Sequence, residues 1–349
     1  MAVVTTVFAI YASSLLLRVD VVQHRVAEYV SLWLKETVDV PLQFGAVRVR
    51  HFNKIEIDDV LLSDADGDTV ASIGRLTAHL SPLQLLRNRV RVNTLTLERP
   101  RVIMSRENPQ APLNIQFLLE LLAGNDSLPS APLPYMSVGQ LHLYDGQFAY
   151  HVWSEERGDT GIFTPSHIEV DDISANISLR CLTSDTISMY IRSMKGKEVS
   201  GLHLQHVTAQ IGASKRAFSM SDFCLKQPGS EIKSDNITAS YIYDEKEGRL
   251  ENLRFKGCIE SRRFDFASLS PLSPVYAERM PVLSFKIPFK GSDTAVFMEQ
   301  ARLGSEGEEI LLKASASIEK SSNGAPEYSA EVEQLLVTPE EMEIGRAHV

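Results

Sequence analysis

The stretch IEVDDISANI (168–177) decides how this chain is read. Its apolar positions are Ile168, Val170, Ile173, Ala175 and Ile177, so a period of two is broken once by a step of three. Period two marks a strand with one half-buried face. The step across Asp171-Asp172 throws the apolar set onto the other face unless a β-bulge or a tight turn absorbs one residue. Adjacent aspartates suit a two-residue turn poorly, so the spacing predicts a bulge. The phrase recurs as ASIGRLTAHL (71–80) and LHLQHVTAQI (202–211), and in degenerate form as IKSDNITASY (232–241). Recurrence of this kind suggests an array of stacked units that share one continuous apolar surface. Leu76, Ile173, Val207 and Ile237 hold the sixth place of the four copies, and Ile177 and Ile211 the last place of theirs. These six are the expected lining of that surface.

A second stretch, FNKIEIDDVLLSDADGDTV (52–70), gathers Asp64, Asp66 and Asp68 around Gly67. A calcium loop needs its glycine sixth and a bidentate glutamate twelfth. Counted from Asp64, the glycine comes fourth and Arg75 stands at the twelfth place. The flanks alternate like strands, and Asp66-Gly67 tolerates positive φ, so the stretch reads as a hairpin turn.

The net charge of −10 over 349 residues argues against nucleic acid as a partner. Cys181, Cys224 and Cys258 are too few and scattered for a disulfide scaffold or a zinc site; they allow one bridge at most, or three buried thiols. Residues 2–17 (AVVTTVFAIYASSLLL) carry no charge and no cleavage site, and read as a membrane anchor slightly short of the usual span of about 20. The lack of basic residues before them points to a true start upstream of Met1. Val22 to Val38 has helical apolar spacing and reads as an amphipathic helix capping a sheet. Short helices are expected after Ser81-Pro82 and over Ile115 to Ala123, the latter capped by Asn114. The expected organisation is an anchor (1–20), a β-rich region with its helix (21–123), a linker (124–134) and a continuing repetitive β-region (135–342). The tail, residues 343–349, resembles adapter-derived sequence.

No catalytic, cofactor or metal grouping assembles in the sequence. His203 and His206 lie three apart on a strand, which places them on opposite faces unless a bulge intervenes. There is no phosphate-cradling glycine loop and no nucleophile elbow. The chain is therefore read as a non-enzyme.

Several elements in order then carry a resemblance: VQHRVAEYVSLWL after the apolar run, Phe52-Asn-Lys54 with Ile57-Asp-Asp-Val60, the Asp66-Gly-Asp68 turn, Ser81-Pro-Leu-Gln-Leu-Leu86, Leu97-Glu-Arg-Pro100 and Asn114-Ile-Gln-Phe-Leu-Leu119. Over residues 1–123 this order resembles the start of TamB-like proteins of the AsmA superfamily, the inner-membrane component of translocation and assembly modules, in the form found in Bacteroidetes. Beyond Pro134 only strand rhythm supports it. The resemblance implies a mainly β fold, in which a transmembrane helix and an amphipathic helix precede an elongated, curled antiparallel β-sheet with a few short helices. It implies a single-pass bacterial inner-membrane protein with its bulk in the periplasm. The apolar β-groove would support phospholipid transfer to the outer membrane and assembly of that membrane. The implied partners are phospholipids, the inner membrane and an outer-membrane β-barrel protein of the TamA/BamA type. The alternatives are a periplasmic scaffold for outer-membrane protein or autotransporter assembly that conducts no lipid, and a secreted adhesive β-solenoid.

Overall fold

A computed structural model describes residues 42–50, 53–64, 67–81, 90–116, 136–159, 161–182, 186–244, 249–272, 280–305, 310–320 and 326–337. The expected anchor, amphipathic helix, linker and tail lie outside these residues, as does nearly all of the two short helices. Among the described residues no helix is long and apolar enough to cross a membrane. The chain is mainly β, and the described residues fall into two compact units: one runs to Gly158 and adds Thr164–Leu179, the other comprises Asp159–Phe163 and Arg180 onward.

The first unit contains β1 (Leu42–Gln43), β2 (Val47–Arg50), β3 (Lys54–Ser63), β4 (Thr69–Leu80), β5 (Val90–Arg106), β6 (Met136–Val152) and β7 (His167–Leu182), the last of which leaves the unit after Leu179. They pair in the order β1-β3-β4-β5-β6-β7, with β2 beside β1 on the same edge of β3. The hairpin expected at Asp64–Asp68 joins β3 to β4. Asp64 Oδ1 accepts from Asp68 N–H at 2.8 Å, Asp64 N–H donates to Asp68 O at 2.9 Å, and Gly67 takes φ 92°. An aspartate folding back on its own backbone in this way closes a turn without a cation.

One pair departs from the antiparallel expectation. Strands β5 and β6 run parallel, with Leu95↔Leu141 and Leu97↔Leu143 in register. Short turns force antiparallel neighbours, and a parallel return needs a connection of about a dozen residues or more. The segment between Arg106 and Met136 is long enough to provide it. Asn114, expected to cap a helix that lies almost wholly outside the described residues, turns its amide to β5: Oδ1 accepts from Ser105 N–H at 2.9 Å and Nδ2 donates to Ile103 O at 3.0 Å. Its backbone N–H also donates to Ser105 O, so the whole residue serves the strand edge.

The polar face of this unit is held by an ion network. Glu56, 7% exposed, lies 2.5 Å from Lys54 Nζ and 2.9 Å from Arg50 Nε, and Asp58 receives Arg48 and, at 3.0 Å, Arg75 Nε. Burial pulls the Glu56 carboxyl upward, but the hydrogen bond and charge of Lys54, with Arg50 and Arg48, more than offset it and hold it below its usual value. The hydrogen bond from Arg75 does the same to Asp58 against a smaller effect of burial, with Arg48 helping. A depressed folded-state pKa contributes stability that is present above the unfolded value, near 4, and is lost as pH falls through the folded value. Melting temperature should therefore drop as pH is lowered from about 5 toward 3. The paired variant Glu56→Gln with Asp58→Asn should be less stable at pH 7 and show a flatter acid limb. An acid limb identical in the two proteins would refute this account.

The second unit contains β8 (Thr186–Glu198), β9 (His203–Ser214), β10 (Ala217–Gln227), β11 (Ser230–Asp244), β12 (Arg249–Phe264), β13 (Leu283–Ser292), β14 (Ala295–Ser305), β15 (Ile310–Lys320) and β16 (Pro326–Val337). They form an antiparallel meander in which each strand pairs with the next, and the described pairings do not close it into a barrel. Short connections explain the order except between β12 and β13, which residues 265–282 join. Between β9 and β10, Ser214 Oγ accepts from Ala217 N–H at 3.1 Å, and Tyr241 Oη donates to Ser214 O at 2.8 Å. One 3-10 turn, Phe266–Leu269, follows β12, with Asp265 accepting from Ala267 N–H at its start.

Candidate functional site

The register of the strands assembles one apolar and one polar face in each unit. In the first, one cross-strand row runs Val47, Ile57, Leu76, Leu97, Leu143 and Ala175. The row beside it runs Val49, Ile55, Ala78, Leu95, Leu141 and Ile177. These positions alternate with Arg48, Glu56, Thr77, Thr96, His142 and Asn176 on the other face. In the second unit Met189, Ile211, Met220 and Ile237 form a row. Across Gly257 it continues through Phe289, Met298 and Ala316.

Bulges keep these faces apolar where the sequence slips phase. Between Gly146↔Ile173 and Phe148↔Val170, β7 places Asp171 and Asp172 opposite the single Gln147. Likewise Gln205 and His206 on β9 oppose the single Lys195 of β8. In the fourth copy, β11 carries one residue more than β12 between Lys233 and Thr238. The bulge expected from the recurring phrase is present in these three copies. The first copy differs, for Gly74 and Arg75 add no residue to β4. The irregularity lies instead in its neighbours, where Asp59 and Arg99, opposite Gly74, adopt φ of 52° and 51°. A Cβ on Gly74 would stand 2.7 Å from the Arg99 guanidinium, so the glycine leaves room for that side chain.

Register corrects the expected equivalence of the four sixth-place residues, Leu76, Ile173, Val207 and Ile237. Leu76 is level with Ala175, and Ile173 with Ile73, because between these two rows β7 has the single residue Ser174 where β4 has Gly74 and Arg75. In the second unit Ile211 and Ile237 share a row through Met220, whereas Val207 stands in the row of Leu225 and Ile232. All six nevertheless belong to apolar faces. Val207 is buried at 7% exposure; the other five are half-buried. Exposure increases along the second unit, with Met298 at 36% and Tyr328 at 74%. Side chains of this size under an opposing layer would be nearly inaccessible, so Met298 and Tyr328 are not covered by one, whereas Val49, Ile57, Ala175 and Val207 of the same faces are buried.

Glycines and aromatics missed by the recurring phrase shape the middle of this surface. Phe289 is the cross-strand partner of Gly257, and Phe255 of Gly291, with the two rings 6.3 Å apart. A strand glycine beside a large residue is the available sequence signal, since a ring can lie over a position without a side chain. Among the other candidates, the β9 bulge brings His203 and His206 to the polar face, where their cross-strand partners are Lys197 and Lys226. Among the described residues no group of three His, Cys, Asp or Glu is placed to hold a metal ion. The three cysteines are unbridged and half-buried, and burial pushes the Cys224 and Cys258 thiols up, with the Glu231 charge adding to the first. No family model, curated protein or solved structure matches the chain.

Proposed function

We propose that the chain is an inner-membrane-anchored periplasmic protein whose apolar sheet face receives phospholipid acyl chains and supports their transfer to, and the assembly of, the outer membrane. The half-exposed cross-strand rows carry this reading. Each acyl methylene removed from water onto such a surface gains about 0.8 kcal/mol, so a few turns of chain against Ile237, Phe289 and Met298 suffice for binding. Passage along a row requires no covalent chemistry. The uncharged run at residues 2–17 supports the anchor, and the resemblance of residues 1–123 to TamB-like proteins supports the setting and a β-barrel partner of the TamA/BamA type.

The second reading is a periplasmic scaffold for outer-membrane protein or autotransporter assembly that acts through sheet edges and conducts no lipid, since an unpaired strand edge can accept a strand from a partner.

Phospholipid carried by the purified chain separates the two. Met298→Asp places a charge within the exposed part of the row, so it should cost less than about 1 kcal/mol of stability while bound phospholipid, read as lipid phosphorus per protein, falls several-fold. An unaltered lipid content would exclude the acyl surface and leave the scaffold.

A further inference from the structure

The polar face of the second unit contains a depression of about 470 Å³ between β11, β12, β13 and β14. Two adjacent cross-strand rows form most of it, and Ala239, Phe255 and Gly291, which lie between them along the strands, complete the lining. One comprises Thr238, Lys256, Lys290 and Phe297, the other Ser240, Arg254 and Ser292. Lys256 and Lys290 are direct cross-strand partners, and Arg254 lies two residues from Lys256 on the same face. Lys290 Nζ reaches Glu299 at 2.6 Å, while Arg254 and Lys256 have no ion-pair partner among the described residues.

Like charges placed opposite each other in a sheet destabilise it. Here Arg254 and Lys256, together with a Lys290 already shared with Glu299, surround one hollow in a chain whose net charge is −10. An entering anion relieves that repulsion, and the shape of the hollow narrows the choice of anion. Lysine and arginine donors beside the hydroxyls of Ser240 and Ser292 suit an oxyanion with several acceptor oxygens. The volume is of the size of small-molecule sites, about 300–1,000 Å³, and exceeds what a bare phosphate fills. The Phe297 ring and the aliphatic lysine stems supply apolar contact for an attached organic group. We propose that this depression binds the phosphate of a small organic phosphate ester, with Arg254, Lys256 and Lys290 holding the anion and Phe297 the carbon skeleton. The site lies on the face opposite the apolar rows and does not depend on the lipid reading. The ester is either a soluble metabolite or the headgroup of an anionic phospholipid.

The experiment titrates the purified full chain with glycerol 3-phosphate, and separately with phosphatidylcholine vesicles made with and without phosphatidylglycerol. The variants are Arg254→Gln with Lys256→Gln, and Lys195→Gln as a basic residue of the same sheet away from the depression. Glycerol 3-phosphate affinity should fall at least about tenfold in the double variant and stay unchanged in the control. The double variant should melt no lower than wild type, because it removes a repulsion. Phosphatidylglycerol-dependent vesicle binding with the same pattern, in the absence of glycerol 3-phosphate binding, assigns the site to the headgroup. Failure of wild type to bind either probe overturns the proposal. So does equal binding by the double variant, or an equal loss in the control, which would reduce the effect to diffuse charge.

Discussion

Val207→Asp should unfold much of the second unit. Val207 is 7% exposed and its neighbour on the same face, Ala209, is 2% exposed. Its cross-strand partners are Met194 and Leu225, so a carboxylate at this point is surrounded by aliphatic groups. Burying such a charge costs several kcal/mol, or forces the group to bind a proton. A loss of about 3–5 kcal/mol is expected, which is a large share of the 5–15 kcal/mol that holds a typical domain together. Thermal denaturation reads it directly. Thr208, the next residue, is a poor control because its hydroxyl donates to Asp222 O at 3.2 Å and so helps hold the β10 bulge. Gln210→Asp, on the polar face between Tyr190 and Ser221, is the better comparison and should be nearly neutral. A Val207→Asp protein that melts within a degree or two of wild type would show that the site has access to water.

Gly291→Val should be the second severe change, and Gly257→Val a milder one. A Cβ on Gly291 would stand 2.5 Å from the carbonyl oxygen of Ala295 and 2.5 Å from Phe255 Cζ. The first of these atoms is backbone and cannot rotate away, so the pairing of β13 with β14 must open where Gly291 faces Val296. Overpacking of this kind costs about 1–3 kcal/mol or more, beyond what the better strand propensity of valine returns. The Gly257 position is also tight, with Phe289 Cζ at 2.7 Å and Ile237 Cγ1 at 2.8 Å. Both of those atoms belong to side chains on a half-exposed face and not to the backbone, so the Phe289 ring can swing aside and Ile237 can shift with it. Calorimetry of the two variants should rank Gly291→Val as the less stable. The reverse order would mean that ring packing, and not the β13–β14 backbone, sets the limit.

Both variants act on features of unequal visibility in the sequence. The bulges at Asp171-Asp172 and Gln205-His206 were legible because an apolar set that steps by three changes face unless the backbone absorbs the step, but the same step at Gly74-Arg75 adds no residue to β4, so the device used at each copy was not legible. The left-handed residues on partner strands were half legible. Asp59, Asp145, Asp222 and Asn252 have side chains that tolerate positive φ, but Arg99 and Gln300 carry no such mark. The basic depression was invisible, since Arg254, Lys256 and Lys290 are ordinary exposed strand residues until register sets them side by side.

By itself the sequence determined that this protein is built of strands, where the β3–β4 hairpin turns, and which side chains share a face within each strand. Those properties follow from period-two alternation and turn chemistry, which act over a few residues. Only the tertiary structure decided which rows meet. The parallel return of β6 beside β5, the level of Leu76 with Ala175, and the row joining Ile211 to Ile237 all depend on register between strands. A slip of one residue reverses every side chain of a strand, and the pairing that prevents it is a property of two strands together.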